Sequence, residues 1–150
     1  MAKASKYKIS EHFSRRDFVC RCGKCDESIR LSLGLVGGLE LLRSKARNRV
    51  NIVKGYECPE SSENSSKFKR NFHTIGVAAD VTVDKKDLRE VFLLAEEVPE
   101  FNGVGLDLTS AHVHVDTRKD KKRSLWVVEN GIHIDLTEEN RLHYFPSKAN

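Results

Sequence analysis

The sequence predicts an α+β fold in which covering helices pack on a small, mainly antiparallel sheet. Apolar residues recur every three to four positions in two stretches, which indicates two amphipathic helices. Short alternating segments bounded by turn residues lie between and after these helices and indicate strands. A helix, scattered strands, a second helix and then a meander are typical of the α+β class. The 150 residues suit one domain, 1–150.

The N-terminal part is predicted to form a helical turn and then a long helix. Ser14 and Asp17 are spaced as a capping box in residues 10–17. The long helix is expected from Ser28 to about Asn48. Its glycines are expected to allow close packing rather than to bind phosphate, because no strand precedes them and no Lys-Ser or Lys-Thr follows. The apolar positions of this helix are Leu31, Leu35, Leu39, Leu42 and Ala46, and its glycines are Gly34, Gly37 and Gly38.

Strands and a second helix are predicted in the rest of the chain. Residues 50–54 form a strand candidate, and a polar loop follows from Pro59 to about Arg70. In the strand candidate 76–83, alternation places Asp80 on a face of small residues, opposite an apolar face. The other candidates are a helix at 86–98 and strands at 103–108, 111–117, 124–128 and 131–136, with a hairpin turn at 129–131.

Composition and charge narrow the class of protein. The chain is 39% hydrophobic and 32% charged, which is typical of a soluble globular protein, and no stretch approaches the ~20 apolar residues of a membrane span. The net charge of +4 is spread over several basic runs, which favours a solvated surface, or attraction to an anionic polymer such as a cell wall, over nucleic-acid binding. No apolar segment follows Lys3, Lys6 and Lys8, so no signal peptide is seen. We therefore expect a cytoplasmic monomer, or a periplasmic or wall location if the protein is exported or processed.

The four cysteines form a second pattern with chemical meaning. They fall as Cys20-x-Cys22-x-x-Cys25, with Cys58 far downstream. In a reducing compartment this spacing favours a structural zinc, whereas in an oxidising compartment it would give one or two disulfides. A metal cluster, disulfides and unlinked thiols all stay open at this point.

Two segments carry the residues of a candidate metal site. Alternate residues of a strand point to the same side about 6.8 Å apart, so His112, His114 and Asp116 share one face, opposite an apolar face. His73 and Asp80 lie about thirty residues earlier. A catalytic zinc takes three imidazole or carboxylate ligands and leaves a fourth position for water. Together the two segments predict one such zinc site.

Several short motifs follow one another along most of the chain. They are Ser10-x-His-Phe-Ser-Arg-Arg-Asp-Phe-x-Cys20, Gly55-Tyr-x-Cys-Pro59, His73-x-x-Gly-x-Ala-Ala-Asp80, Gly103-Val-Gly-Leu106 and Val113-His-Val-Asp-Thr-Arg118 with Trp126. In this order they resemble the zinc D-alanyl-D-alanine carboxypeptidase and dipeptidase family, which includes phage endolysin peptidases and shares its core with the hedgehog signalling domain and the lysostaphin-type enzymes. The resemblance implies a hedgehog-like fold with a family core at 10–128 and a C-terminal hairpin and tail at 129–150. It also implies a metallopeptidase that hydrolyses stem-peptide or cross-link bonds of peptidoglycan in the cell wall.

The resemblance also implies roles for the candidate metal residues. His73, Asp80 and His114 correspond to the three zinc ligands of the family. Zinc would activate a water molecule for attack on the peptide bond, and a general base would carry its proton to the leaving amine. His112 is the first candidate for this base. Asp116 is the second candidate, and its alternative role is to hold a neighbouring ligand or arginine in place.

Three positions depart from the family pattern. Glu57 stands where many members carry an arginine after Gly-Tyr, and it would repel a substrate carboxylate, which favours an endopeptidase over a carboxypeptidase or dipeptidase. Asn71 replaces a serine but can still donate a hydrogen bond, and Ala111 replaces an acid that several members carry. Tyr56, Glu57 and Asn71 are the predicted substrate-binding residues. These departures leave a catalytically inactive zinc-binding or wall-binding module of the same fold as the alternative function.

The single tryptophan and the remaining histidines carry weaker signals. Trp126 either lines a substrate groove or belongs to the core. His133 and Asp135 have the same spacing as His114 and Asp116 but lack an upstream partner. His12, His133 and His143 are therefore expected to be ordinary surface or core residues.

Overall fold

The computed structural model has the predicted α+β architecture, with helices packed on a six-stranded mixed sheet. The structure describes residues 7–26, 29–59 and 71–146, so most of the predicted polar loop lies outside the described residues. The helices of this part are α1 (Arg15–Phe18), α2 (Leu33–Ala46), α3 (Leu88–Glu96) and α4 (Glu138–Tyr144). The strands are β1 (Val50–Lys54), β2 (Ala78–Val83), β3 (Gly103–Asp107), β4 (His112–Asp116), β5 (Ser124–Glu129) and β6 (Ile132–Asp135).

The sheet is mainly antiparallel, as predicted, but its second half is not a simple meander. The strand order is β1-β2-β4-β3-β5-β6, and every neighbouring pair is antiparallel except β3 and β5, which are parallel. Because β4 pairs with β2 on one side and with β3 on the other, it has no free edge, and β5 joins the sheet at the outer edge of β3. The chain crosses over to that edge through residues 117–123, where the Asn102 side chain donates hydrogen bonds to the carbonyls of Arg118 (3.0 Å) and Asp120 (2.8 Å).

The hydrophobic core lies on one face of the sheet, beneath α2 and α3. Alternation along β4 sends Val113 and Val115 into this core, where both are fully buried. Full burial of an aliphatic or aromatic side chain stabilises a protein by roughly 1.5–3 kcal/mol. The largest of these side chains are Phe18 of α1, Leu35, Leu39 and Leu42 of α2, Phe92 of α3, and Phe101 in the loop after α3. The opposite face of β4, which we call the site face, presents His112, His114 and Asp116.

Two helical boundaries and one whole helix differ from the sequence expectation. The long helix α2 begins at Leu33 rather than Ser28, because the Ser32 side chain caps it by accepting hydrogen bonds from Gly34 N (3.1 Å) and Leu35 N (3.3 Å). Residues 27 and 28 lie outside the described part. Helix α3 likewise begins late, after the cap at Asp87. The predicted capping box of α1, between Ser14 and Asp17, is confirmed.

The C-terminal part contains the predicted hairpin and also a helix that the sequence expectation missed. The β5–β6 turn places Asn130 (φ 53°) and Gly131 (φ 74°) in the left-handed region, as a tight hairpin requires. Helix α4 follows, with Thr137 and Asn140 forming its capping box. It is tied to α3 by an ion pair between Arg141 and Glu96. Within the described ranges, no helix is long and apolar enough to cross a membrane.

Candidate metal centre

The predicted ligands His73, Asp80 and His114 come together on the site face. Asp80 of β2 and His114 of β4 are directly opposite each other in the antiparallel pair. Asp80 Oδ1 lies 2.9 Å from His114 Nδ1 and 3.4 Å from His73 Nε2. One ligand atom from each of the three residues falls within 4.8 Å of the others, so the group could hold a metal ion.

His73 is oriented by the loop that follows β1. The Gly55 carbonyl can only accept a hydrogen bond, so its 2.9 Å contact with His73 Nδ1 places the ring proton on that nitrogen. The backbone N–H of His73 also donates to Asn71 Oδ1 at 3.0 Å. The lone pair of Nε2 is thereby directed at Asp80, which suits a metal ligand.

His114 is oriented from its other side by Asp116. Its Nε2 lies 2.7 Å from Asp116 Oδ2, and Asp116 is fully buried. Arg118 donates to the same carboxylate from Nε (2.8 Å) and Nη2 (2.7 Å). Both oxygens of Asp116 are therefore engaged. The arrangement matches a carboxylate that fixes the ring of a metal-binding histidine, with Nδ1 left for the metal.

In the metal-free protein, the surroundings of Asp80, His114 and Asp116 favour the charged form of each side chain. Burial opposes ionisation of Asp80, but the hydrogen bond from His114 and the charge of that ring hold the pKa of Asp80 well below the usual range. Burial alone would lower the pKa of His114, yet its hydrogen bonds with Asp116 and Asp80 raise that pKa to about 9. The pKa of Asp116 is low because Arg118 and His114 outweigh the effect of its burial. A cation is thus already favoured between Asp80 and Asp116, and a metal ion would replace the proton on His114.

His112 lies next to the ligand group rather than within it. Its Nε2 is 3.5 Å from Asp80 Oδ2 and 3.7 Å from Asp107 Oδ2, and its side chain is mostly buried. Asp107 was not singled out from the sequence. The signal that could have found it is strand parity, because Asp107 shares a face of β3 with Gly103 and Gly105 and is opposite His112 in the register.

Two glycines of β3 make room on the site face. A Cβ added at Gly105 would approach the Trp126 ring to 2.3 Å, and one at Gly103 would approach the Asp116 carboxylate to 2.5 Å. Their absence of side chains lets Trp126 lie 5.3 Å from His114, measured between ring centroids. His133 also stacks on Trp126, with the ring centroids 5.5 Å apart. Trp126 therefore belongs to the site face and not to the core.

The predicted substrate-binding residues lie in the segments that support His73. Glu57 Oε2 accepts a hydrogen bond from Asn71 Nδ2 at 3.0 Å, and its other oxygen is 3.9 Å from Lys54 Nζ. The backbone N–H of Tyr56 donates to Phe18 O at 2.8 Å. Glu57 and Asn71 thus join the loop after β1 to the start of the ligand segment.

The four cysteines also come together, in a group that shares no residue with the ligand group of His73, Asp80 and His114. Their Sγ atoms all lie within 4.8 Å of one another, and those of Cys22 and Cys58 are 3.6 Å apart. Cys20 and Cys58 are buried, whereas Cys22 and Cys25 are partly exposed. This cluster is a second group that could hold a metal ion.

The remaining histidines take surface positions, in keeping with their weak sequence signals. His12 Nδ1 is 2.6 Å from Glu40 Oε1, and His143 packs edge-on against Tyr144.

No protein-family profile matches this chain, and no curated protein matches it. The family resemblance and the function that it implies therefore stay predictions.

Proposed function

We propose that the protein is a zinc metallopeptidase that hydrolyses peptide bonds of peptidoglycan. The observation that carries this proposal is the convergence of His73, Asp80 and His114, which each bring one ligand atom within 4.8 Å of the others. Two imidazoles and one carboxylate are the ligand set of a catalytic zinc with an open position. The ordered motifs that resemble the D-alanyl-D-alanine peptidase family give the reaction class. The net charge of +4 suits an anionic wall polymer.

The residues around the three ligands would transfer the proton and hold the catalytic side chains in place. Zinc held by His73, Asp80 and His114 would supply Lewis acidity and would activate water for attack on a carbonyl carbon. His112 is placed beside Asp80 to accept a proton at Nε2 and to return it to the leaving amine. Asp107 of the adjacent strand lies 3.7 Å from the same nitrogen, where its carboxylate would stabilise the ring once His112 has accepted the proton, in place of the acid that is missing at Ala111. Asp116 holds His114 rather than acting as the base, because both of its oxygens are already hydrogen-bonded.

The groups near His73 favour an internal peptide bond as the substrate. Glu57 places a carboxylate where a substrate with a free C-terminus would bring a second negative charge, and like charges repel. An endopeptidase avoids this repulsion because its substrate continues past the scissile bond. Trp126 offers an aromatic surface beside His114 on which the peptide can lie.

Hydrolysis of purified peptidoglycan tests the proposal. The zinc-loaded protein is incubated with walls of several cross-link types, and new amino termini are labelled and identified by mass spectrometry. We expect new termini from at least one wall type, none with His114→Ala, and a rate about 10²–10⁴-fold lower with His112→Ala. Pairs of peptides that end in a free or an amidated carboxylate report the preference for an internal bond. A zinc-loaded protein that cleaves none of the walls would overturn the proposal.

An inactive zinc-binding or wall-binding module is the second candidate function. The observation in its favour is that Arg118 and His114 occupy Asp116, which leaves His112 as the one base candidate from the sequence. This function predicts that zinc is retained and that the protein co-sediments with walls without releasing amino termini. Hydrolysis that disappears with His112→Ala would exclude it.

A further inference from the structure

We propose that the four cysteines form a second, structural zinc site that fixes the loop supporting His73. This site is separate from the ligand group of the proposed peptidase, and its existence does not depend on that activity. The proposal rests on three observations: the geometry of the sulfur atoms, a backbone hydrogen bond to the Cys22 sulfur, and the hydrogen bonds of the loop that ends at Cys58.

The sulfur geometry fits a tetrahedral metal better than disulfides. A Zn–S bond of about 2.3 Å places the sulfur atoms of a tetrahedral site about 3.8 Å apart. The Cys22 and Cys58 sulfurs are 3.6 Å apart, and all four lie within 4.8 Å of one another. A disulfide would bring two of them to about 2.05 Å. All four cysteines of the chain lie in the described part, and no S–S bond joins them.

The turn between Cys22 and Cys25 is built to stabilise a thiolate. Gly23 takes a left-handed conformation (φ 72°), and the Lys24 backbone N–H then donates to Cys22 Sγ at 3.3 Å. A backbone N–H that donates to the sulfur atom stabilises the negatively charged thiolate, which is the form that binds a metal ion. Thiolates are soft ligands, and four of them select zinc over magnesium or calcium.

The loop that ends at Cys58 carries the contacts that orient His73. Gly55 O accepts from His73 Nδ1 at 2.9 Å, and the Glu57 N–H donates to His73 O at 3.2 Å. On the other side, Arg21 donates to the carbonyls of Ile52 (3.1 Å) and Val53 (3.3 Å). A metal held by Cys20, Cys22, Cys25 and Cys58 would tie the N-terminal segment to this loop.

Stabilisation of the loop follows from that cross-link. Metal binding at the cysteines adds its free energy to the folded state, since an unfolded chain cannot present the four ligands together. Gly55 is the hydrogen-bond partner of a metal-ligating histidine, and loss of such a partner typically costs 10–100-fold in metal affinity. Loss of the cysteine-bound metal is therefore expected to weaken the site of His73 as well.

Cobalt titration of the full chain tests the proposal. Cobalt(II) bound by thiolates gives a sulfur-to-metal charge-transfer band in the near ultraviolet, which imidazole and carboxylate ligands do not give. We expect about two cobalt ions per chain, with the charge-transfer band saturating at about one equivalent. The His114→Ala variant should lose one equivalent and keep the band, so a failure of the peptidase site leaves this readout intact.

Cysteine variants provide the second arm of the test. Cys25→Ser changes a partly exposed ligand and should weaken or abolish the charge-transfer band. Lys24→Ala is the matched control, because its exposed side chain lies in the same turn and its backbone donor is retained. We also expect Cys25→Ser to weaken zinc binding at the His73 site by about 10–100-fold. If Cys25→Ser left the zinc affinity of the His73 site unchanged, the cysteine site would have no role in supporting His73.

Two results would overturn the second metal site. One is a wild-type protein, reduced before titration, that binds one cobalt ion without a charge-transfer band. The other is a protein purified under reducing conditions whose mass and thiol count show two disulfides. Both measurements use the wild-type chain, so they stand even if a cysteine variant fails to fold.

Discussion

His114 is the residue on which the candidate metal centre depends most, because its two ring nitrogens have different partners. Nδ1 faces Asp80 and Nε2 faces Asp116. We expect His114→Ala to lower the zinc content after dialysis by about one equivalent, since one of three protein ligands is removed. His133→Ala is the control, because His133 is an exposed histidine on the same sheet. Zinc content that stays unchanged in His114→Ala would contradict the ligand assignment.

Asp116 is expected to control zinc affinity without touching the metal. Asp116→Asn removes the charge that holds both His114 and Arg118 and should lower zinc affinity about 10–100-fold. It should also lower the free energy of unfolding by about 1–3 kcal/mol, because a buried polar network loses partners. Competition with a chelating dye and urea unfolding measure the two effects.

The chain itself offers a matched control for Asp116→Asn. His133 and Asp135 have the same spacing as His114 and Asp116, and their side chains also contact each other at 3.1 Å, but both residues are exposed. Asp135→Asn should therefore change the free energy of unfolding by no more than about 0.5 kcal/mol and leave zinc affinity unchanged. Equal effects of the two substitutions would show that burial of Asp116 has no special role.

At the scale of single residues, a sequence pattern predicts contacts only between residues that are close in the chain. Alternation along one strand is enough to place His112, His114 and Asp116 on a common face, and the structure confirms that face. Alternation does not tell which residue of another strand is opposite. The contact between His112 and Asp107 depends on the register of β3 and β4, and so Asp107 was missed.

At the scale of single elements, helix α2 contains two neighbouring glycines with opposite surroundings. A Cβ at Gly38 would approach the buried Phe101 ring to 2.5 Å, whereas a Cβ at Gly37 would meet nothing within 4 Å. We expect Gly38→Ala to lower the free energy of unfolding by about 1–3 kcal/mol through overpacking. Gly37→Ala should raise it by about 0.5–1 kcal/mol, because alanine is the better helix former. Urea unfolding of both variants measures the difference, and effects of the same sign would contradict this account.

Helices and strands were predicted well where an amphipathic pattern was long. They were predicted poorly where capping residues or strand pairing determined the boundaries or the existence of the element. The apolar stripe of α2 was visible in the sequence, but its start was set by the Ser32 cap. Helix α4 has only seven residues, too few for a clear period, although Thr137 and Asn140 were a readable capping signal. The hairpin at Asn130 and Gly131 was visible because left-handed turns demand such residues.

At the scale of the whole molecule, the class of fold was predictable and the strand order was not. The mixture of helices and short strands fixed the α+β class. The parallel pairing of β3 and β5 depends on which of the two free sheet edges, β1 or β3, the strand β5 joins, and that is a property of the assembled sheet. The same non-local pairing brings Trp126 across Gly105 to His114, which explains why its position could not be chosen from the sequence.

The charged groups of the candidate metal centre also predict how the stability of the whole molecule depends on pH. In the metal-free protein the pKa of His114 is raised from 6.5 to about 9, so its stabilising effect is complete below pH 6.5 and is lost as the pH rises through about 9. The pKa values of Asp80 and Asp116 are lowered from 3.8, so their stabilising effect is present above that pH and is lost as the pH falls. These three groups place the greatest stability of the metal-free protein between about pH 4 and 6.5.

Zinc is expected to reverse the alkaline part of this profile. A metal at His114 Nδ1 requires the unprotonated ring, so zinc binding and its stabilisation strengthen as the pH rises from about 6.5 to 9. Urea midpoints measured near pH 6 and pH 9 should therefore fall with pH in the presence of a chelator and rise with pH when zinc is added. The His114→Ala variant is the control, and its chelated form should lose most of the alkaline decline. A chelated wild-type protein whose midpoint is the same at both pH values would show that the proton on His114 does not stabilise the fold, and with it the charge balance assigned to Asp80 and Asp116 would be wrong.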